Sequence, residues 1–486
     1  MVFGAIFLSY FVFVAALGLI ARRRNKGLDD FLLAGRRLGT VTSALSAQAS
    51  DMSAWLVIGL PGAAYTLGYS AVWIVVGCIA GTVFNWFVLA RRLRVQSERY
   101  AALTLPDYFE ARFGDDGRHV LRLISVSIIL LSYCGYIAAQ FIAAGKLFET
   151  VSESIPGFEV SYNGGILVGA GIVLLYTIVG GFIAVSWTDV LQGMLMLVAV
   201  TLVPIMAVAS MGGVTSSIDL LRLSGDPGEI LSFSQGKTGA AFVLGVFLSN
   251  FSWAFGYPGQ PHILARYMAI REERKVPVAG TIAAVWVVLA LFGAFALGLV
   301  GRALPGVSPA DAEHVMPCVS YELLPTWLCA VVCSAALAAM MSTADSQLIV
   351  GSSCIVEDLV VKTIKVPLSS TRALWLSRAT VLLLTLLAIG VSLRKAEVFA
   401  QVFNAWASLG AGLGPALVLS VLWKRARKGA VAIGMVFGVG FVHVWPRVHA
   451  VLGWDYLADP LVLGCIGSVT CIVVGSLLFS GRACSE

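Results

Sequence analysis

The chain is built from uninterrupted apolar runs of about twenty residues, of which Ala71 to Ala90, AVWIVVGCIAGTVFNWFVLA, is typical. A run of that length spans the ≈ 30 Å hydrocarbon core of a bilayer when it is helical. Only structures that close their backbone hydrogen bonds internally survive there, which leaves helices and closed barrels. A barrel would show alternating segments of about ten residues, so the barrel fails. Composition agrees: 58% of the 486 residues are hydrophobic and 12% charged, with mean hydropathy +0.89. Ordinary soluble domains carry about 25% charged residues. The fold class expected is an all-α polytopic membrane protein, and a water-soluble enzyme is excluded.

Apolar runs predict thirteen spans, beginning near residues 2, 40, 70, 120, 163, 183, 240, 277, 320, 372, 398, 428 and 459. The loops between them alternate sides, and 26 of the 33 Lys and Arg residues fall on one side. That set includes Arg22 to Arg24, Lys26, the arginines from Arg91 to Arg122, Arg266, Lys362, Lys424 to Lys428 and Arg482. By the positive-inside rule this side is cytoplasmic, which puts the N-terminus outside and the C-terminus inside. The first run, Val2 to Ala21, has no positive residue before it and a basic cluster after it, as expected of an uncleaved N-out span rather than a secretory signal. Within the longest cytoplasmic stretch, LTLPDYFEARFG predicts a short surface helix after Pro106. The nine cysteines lack CxxC spacing and sit mostly in apolar runs, so they read as small core residues without a disulfide framework. No Walker loop occurs, which argues against an ATP-driven pump, and no large hydrophilic extension suits a sensor kinase.

The informative places are those where helical signals break. Seven of the eight residues from Ala47 to Ala54 are small or polar, well inside a span, and such a stretch frees backbone groups that need partners. Near the cytoplasmic side of the seventh span, FSWAFGYPGQPHILARY carries Pro258 and Pro261. Paired interruptions at corresponding positions of two halves are the mark of inverted-repeat secondary transporters, and they point to the binding site. The expected organisation is one transmembrane domain over 1–486, with an extra helix at 2–21, a first repeat at 40–211, a second at 240–423 and two extra helices at 428–480.

Five segments then resemble the sodium:solute symporter family, and within it most resemble the proline branch. They are DDFLLAGRRLGTVTSALSAQASDMSAWLVIGLPGA, GGFIAVSWTDVLQGMLM, SWAFGYPGQPHILARY, MMSTADSQLIVGSSCIVEDL and NAWASLGAGLGPALVLSVLWKR, in order from Asp29 to about Lys428. The resemblance implies the LeuT-type fold of five plus five helices with extra helices at both ends. It also implies sodium-coupled import of a small amino acid, most of all L-proline, by alternating access across a bacterial inner membrane. Sodium is the coupling ion and the only metal; no cofactor, no enzymatic activity and no nucleic-acid partner are expected. The partners are the amino acid, sodium and the lipid bilayer, and a monomer suffices for function.

Sodium prefers oxygen ligands, which unwound carbonyls and small hydroxyls supply without added charge. On the ninth span Ala339, Ser342, Thr343 and Ser346 fall on one helical stripe. The resemblance maps sodium ligands onto the carbonyls of Ala49, Met52 and Ala339 and the hydroxyls of Ser342 and Thr343, with Asp51 and Ser53 supporting the site. Close helix packing by small residues is the alternative for the hydroxyls. A carboxylate at a span centre costs about 2.5–3.5 kcal/mol, so Asp51 needs a compensating role, either in sodium dependence or as a cap on the unwound segment.

Trp253, Tyr257 and Pro261 are spaced to line one face of the seventh span, as Tyr136 and Gln140 do on the fourth. A small zwitterion suits such a pocket, with aromatic faces over an apolar ring and freed amides at the carboxylate. Trp253, Tyr257, Pro261 and Tyr136 match the substrate positions of the proline branch. Gln140, Pro258 and Asp345 depart from its pattern, which leaves another small amino or carboxylic acid open as substrate. A channel or a non-transporting receptor would need filter loops or an output domain. Two further acids, Asp189 and Asp345, with Ser346, are candidates for a second cation, because two acids in low dielectric cannot both stay ionised without a shared cation or proton. A cap on the sixth span and a wet exit path are the alternative for this pair. Gly410, Gly412 and Gly414 allow a helix to approach its neighbours closely, for gating or for packing alone.

Overall fold

A computed structural model describes residues 2–22, 32–114, 117–154, 159–453 and 459–478. Arg23, Arg24, Lys26, Asp29, Arg482, Cys484 and the end of the last expected segment lie outside these. The described residues are helical, with no strand among them beyond one isolated bridge between Leu38 and Ile270. Among the described residues ten helices are long and apolar enough to cross a membrane, and Val2–Gly18 and Tyr162–Ile178 are shorter apolar helices.

In chain order the main helices are α1 (Val2–Arg22), α2 (Thr40–Asp51), α3 (Leu60–Leu67), α4 (Val72–Phe84), α5 (Arg91–Arg99), α6 (Leu105–Phe113), α7 (Val120–Ser154) and α8 (Tyr162–Ser210). There follow α9 (Pro261–Ala269), α10 (Val276–Ala303), α11 (Val315–Leu323), α12 (Thr326–Ser353), α13 (Ser370–Ser392), α14 (Val398–Leu422), α15 (Lys428–Leu452) and α16 (Pro460–Leu478). The boundary expected between residues 163 and 183 appears as a break inside α8, at Gly181 with φ 63°. A residue with a Cβ would be strained there, which is why a glycine ends one span and starts the next.

Two helices form the centre. α12 is buried from Cys329 to Ser353 almost without interruption, because Ala, Ser, Thr and Met replace the bulky residues of the outer helices. It packs against α8, α7, α2, α1 and α13. α14 is the second, closed in by α7, α15 and α16. Both carry many small residues, the composition that lets backbones approach in lipid.

The helix expected after Pro106 is α6, started by Pro106 and by the Thr104 hydroxyl, which accepts from the Asp107 amide. It is not a surface helix: Leu105 to Glu110 are buried. Asp107 holds Arg122 of α7 at 3.1 Å and Lys362 beyond α12, so this end of the bundle is tied by ion pairs that pull the helix inward.

Candidate functional site

Both expected breaks are present, and they face each other through the core. α2 stops at Asp51; Met52 leaves helical space (φ −84°, ψ 76°), and the chain resumes helical geometry at Ala54. The groups freed there find specific partners. The Ala54 amide donates to Gln140 Oε1 at 3.0 Å, the Trp55 amide to Ser53 Oγ at 3.3 Å, and the Trp55 indole to the Asp51 carbonyl at 3.1 Å. Gln140 Nε2 donates to the Tyr136 carbonyl at 3.3 Å, so the Gln140 side chain braces the break.

The carbonyls just before the break meet α12. Ser342 Oγ lies 2.8 Å from the Ala49 carbonyl and 3.0 Å from the Ala339 carbonyl, while Thr343 Oγ1 donates to the Ser50 carbonyl at 2.9 Å. Four of the five expected ligands, Ala49, Ala339, Ser342 and Thr343, therefore gather on one seam between α2 and α12, with Met52 fully buried at the break beside them. Oxygen atoms of this kind, without fixed charge, form a hard-cation environment.

Asp51 and Ser53 adjoin the tyrosines beside that seam. Asp51 is fully buried, and neither carboxylate oxygen has a hydrogen-bond partner among the described residues. The hydroxyls of Tyr257 and Tyr136 also lack one, and Tyr257 neighbours Asp51, Cys78 and Thr82 while Tyr136 neighbours Asp51 and Ser53. A buried acid between unpartnered hydroxyls costs several kcal/mol unless a ligand completes it.

At the second break Tyr257, Pro258 and Gly259 form one tight turn, Gln260 is extended, and Pro261 starts α9. Trp253 and Tyr257 thus share a helical face, but Pro261 does not continue it: the expected i, i+4, i+8 stripe is cut, because Pro261 lacks the amide that would carry the helix through. Trp253 stacks among Trp55, Phe399, Phe403 and Trp406 at ring distances from 4.8 to 5.7 Å, and Tyr257 meets Trp406 edge-on at 4.8 Å. Of the three glycines on α14, a Cβ at Gly410 would come 2.6 Å from the Gly256 backbone and one at Gly412 2.5 Å from Val439, whereas Gly414 has ordinary room.

Asp189, Asp345 and Ser346 are brought together, but around a residue that sequence reasoning assigned to a loop. Arg266 of α9 is fully buried, a correction to its place in the cytoplasmic loop set. Its guanidinium lies 3.2 Å from Asp189 Oδ2, 2.5 Å from Ser346 Oγ and 3.1 Å from Ser46 Oγ. Asp189 also accepts from Ser46 at 2.6 Å and Ser50 at 3.2 Å, and Asp345 is held by the Tyr176 hydroxyl and by Ser346 at 3.2 Å. The cap expected for Asp189 is absent, since it sits fully buried inside α8 beyond the Gly181 break. Arg266 supplies one positive charge, paired with Asp189, while the Asp345 carboxylate is bonded to hydroxyls alone among the described residues. Position could have flagged Arg266: it follows Pro261 by five residues, within the first turns of a helix that starts inside the bundle.

The sodium:solute symporter family profile matches residues 31–438. A sodium/proline symporter of Escherichia coli K12 is 39% identical over 481 residues, covering 97% of this chain and 92% of that protein. A high-affinity proline transporter of Bacillus subtilis 168 is 37% identical over 434 residues, covering 88% and 89%. Among solved structures, a Na+-coupled sialic acid symporter in a substrate-bound outward-open state superposes with TM-score 0.82 at 18% identity, over 100% of this chain and 99% of that one. MhsT, solved in complex with L-phenylalanine, superposes with TM-score 0.55 at 14% identity, over 91% of this chain and 98% of that one. At those identities the structures share the fold.

Proposed function

The chain belongs to the sodium:solute symporter family, and from that premise we propose that it is a sodium-coupled symporter that imports L-proline by alternating access. The observation that carries this reading is the partnerless Asp51 carboxylate at the first helix break, between the hydroxyls of Tyr136 and Tyr257 and one residue past the carbonyl seam facing Ser342 and Thr343. Proline transport by relatives that match this chain at 37–39% identity supports the substrate. The relatives are transporters, and the chain is a multi-pass membrane protein rather than an enzyme.

On this reading sodium takes the seam: the hydroxyls of Ser342 and Thr343 turn to it from the Ala49, Ala339 and Ser50 carbonyls, the carbonyls of Ala49, Met52 and Ala339 complete its ligands, and Asp51 and Ser53 support the site. Proline lies against Trp253, Tyr257, Tyr136 and Pro261, with Gln140 keeping the break open. The order of breaks and spans supports thirteen spans in a five-plus-five inverted repeat over 40–211 and 240–423, flanked by 2–21 and 428–480, with the N-terminus outside a bacterial inner membrane and a monomer as the working unit. We assign Asp189 to the ion pair with Arg266 and Asp345 to its hydroxyl partners Tyr176 and Ser346, so one sodium accompanies each proline.

The test is uptake of labelled L-proline into proteoliposomes with a sodium gradient, then with choline in its place. One positive charge moving inward gains about 2.3 kcal/mol per 100 mV, so an inside-negative potential should speed uptake. Uptake unchanged in choline would remove the coupling, and uptake only of another small amino or carboxylic acid would remove the substrate. Binding without uptake would make the protein a receptor. A charge-to-proline ratio near two would return Asp189 and Asp345 to a second cation.

A further inference from the structure

Away from the helix breaks, α7, α14 and α15 enclose an open groove of ≈ 720 Å³ whose walls include Leu123, Ile128, Leu131, Ala405, Val436 and Gly440. Its mouth faces out of the bundle: Leu131 is 77% exposed, Leu123 41% and Val436 57%, on helices that meet the criteria for membrane spans. The polar side chains along it are mostly satisfied by the protein. Ser127 donates to the Leu123 carbonyl, Gln401 to the Gly135 carbonyl, and Ser408 to the Asn404 carbonyl while sharing a 3.0 Å contact with His443; the Asn404 amide and the Ser132 hydroxyl are the exceptions among the described residues. Walls of this kind offer little to water and suit an apolar chain.

Length and charge narrow the occupant. From Leu123 to Gly135 the groove follows twelve residues of α7, about 18 Å at the helical rise, against about 15 Å for one leaflet of a ≈ 30 Å hydrocarbon core. It begins near the end of the bundle where α7 starts, and there the turn joining α14 to α15 exposes Lys424 and Arg425, which pair with no acid among the described residues. We propose that the groove is a binding site for an anionic phospholipid, one acyl chain lying along α7, α14 and α15 and the phosphate meeting Lys424 and Arg425. Each cation close to an anionic headgroup favours it by about fivefold, so the pair should give about 25-fold preference over a zwitterionic lipid. The opposite face of α14 carries Phe403 and Trp406 against Trp253, so the bound chain backs the wall of the aromatic cluster.

The experiment is native mass spectrometry of the full-length protein incubated with phosphatidylglycerol or phosphatidylcholine of identical acyl chains, paired with melting temperature in each lipid, since a ligand of the native state raises it. The wild type should retain phosphatidylglycerol with about 25-fold preference and melt higher in it. Lys424→Gln with Arg425→Gln should bring the preference close to one. Gly440→Phe should remove retention of both lipids; a Cβ there meets no atom within 4 Å, so the ring has an open start into the groove. Equal retention of the two lipids by the wild type overturns the anionic assignment. Undiminished retention by a Gly440→Phe protein that melts normally in detergent overturns the groove itself.

Discussion

The two helix breaks solve the same problem by opposite chemistry. At the second, three carbonyls meet side-chain donors of the protein: Asn85 Nδ2 reaches the Tyr257 carbonyl at 2.8 Å, Gln260 Nε2 the Gly256 carbonyl at 3.0 Å, and the Trp406 indole the Trp253 carbonyl at 3.1 Å. Pro258 and Pro261 have no amide to satisfy. The first break is served by hydroxyls that could turn to a cation, and it ends on a carboxylate with no partner among the described residues. The second break is therefore braced by amide and indole donors that cannot coordinate a cation, and the first by oxygen atoms that can. Arg266 ties them together: it sits on the helix leaving the second break and reaches Ser46 on the helix entering the first.

Cutting that tie should have the largest effect. Arg266→Gln leaves Asp189 buried without its cation, at a cost of about 3–5 kcal/mol. A steep fall in melting temperature is expected, with much of it recovered in the double variant Arg266→Gln with Asp189→Asn. A single variant as stable as the wild type would mean that the breaks are not coupled through this pair.

Asp51→Asn comes next, and it separates the breaks by function. Hydrogen bonds and contacts to charged groups contribute about 1.5–3 kcal/mol, so the sodium concentration for half-maximal binding should rise about 10- to 150-fold. Asn85→Ala, which frees a carbonyl at the second break, should leave it where it was. Sodium binding is best measured without proline, because linkage carries each ligand's loss into the other's apparent affinity. Equal shifts in the two variants would erase the distinction.

The rigidity of the second break is probed by Gly259→Ala. Its Cβ would stand 2.2 Å from the Leu409 carbonyl oxygen, so α14 must move, at about 1–3 kcal/mol. Gly414→Ala, whose nearest neighbour is 3.5 Å away, is the control and should melt like the wild type. Smallest is Ser53→Ala, which removes one acceptor from the Trp55 amide and should lower stability by about 0.5–1.5 kcal/mol while the helix restarts at the same residue. A wild-type melting temperature for Gly259→Ala would show a second break as adaptable as the first.

Much of this was legible before any coordinates. Bilayer thickness translates directly into run length, so Ala71 to Ala90 declared a membrane helix by itself. Small and polar residues at Ala47 to Ala54 and the prolines at 258 and 261 announced both breaks, because local backbone chemistry decides whether a helix can continue. The Ser342–Thr343 stripe followed from helical periodicity, and the ordered motifs carried the family. What periodicity could not supply was which side chain answers which across the bundle. Gln140 was legible as a neighbour of Tyr136 on one face but not as the acceptor of the Ala54 amide, 86 positions away; Pro261 looked continuous with Tyr257 and lies beyond the turn. Arg266 counted as a loop cation by its place in the chain, yet it is buried against Asp189, 77 positions distant. A charge is stable in such a core only beside a partner, and the sequence alone determined the helices and their interruptions while the packing of α2, α8, α9 and α12 decided the pairing.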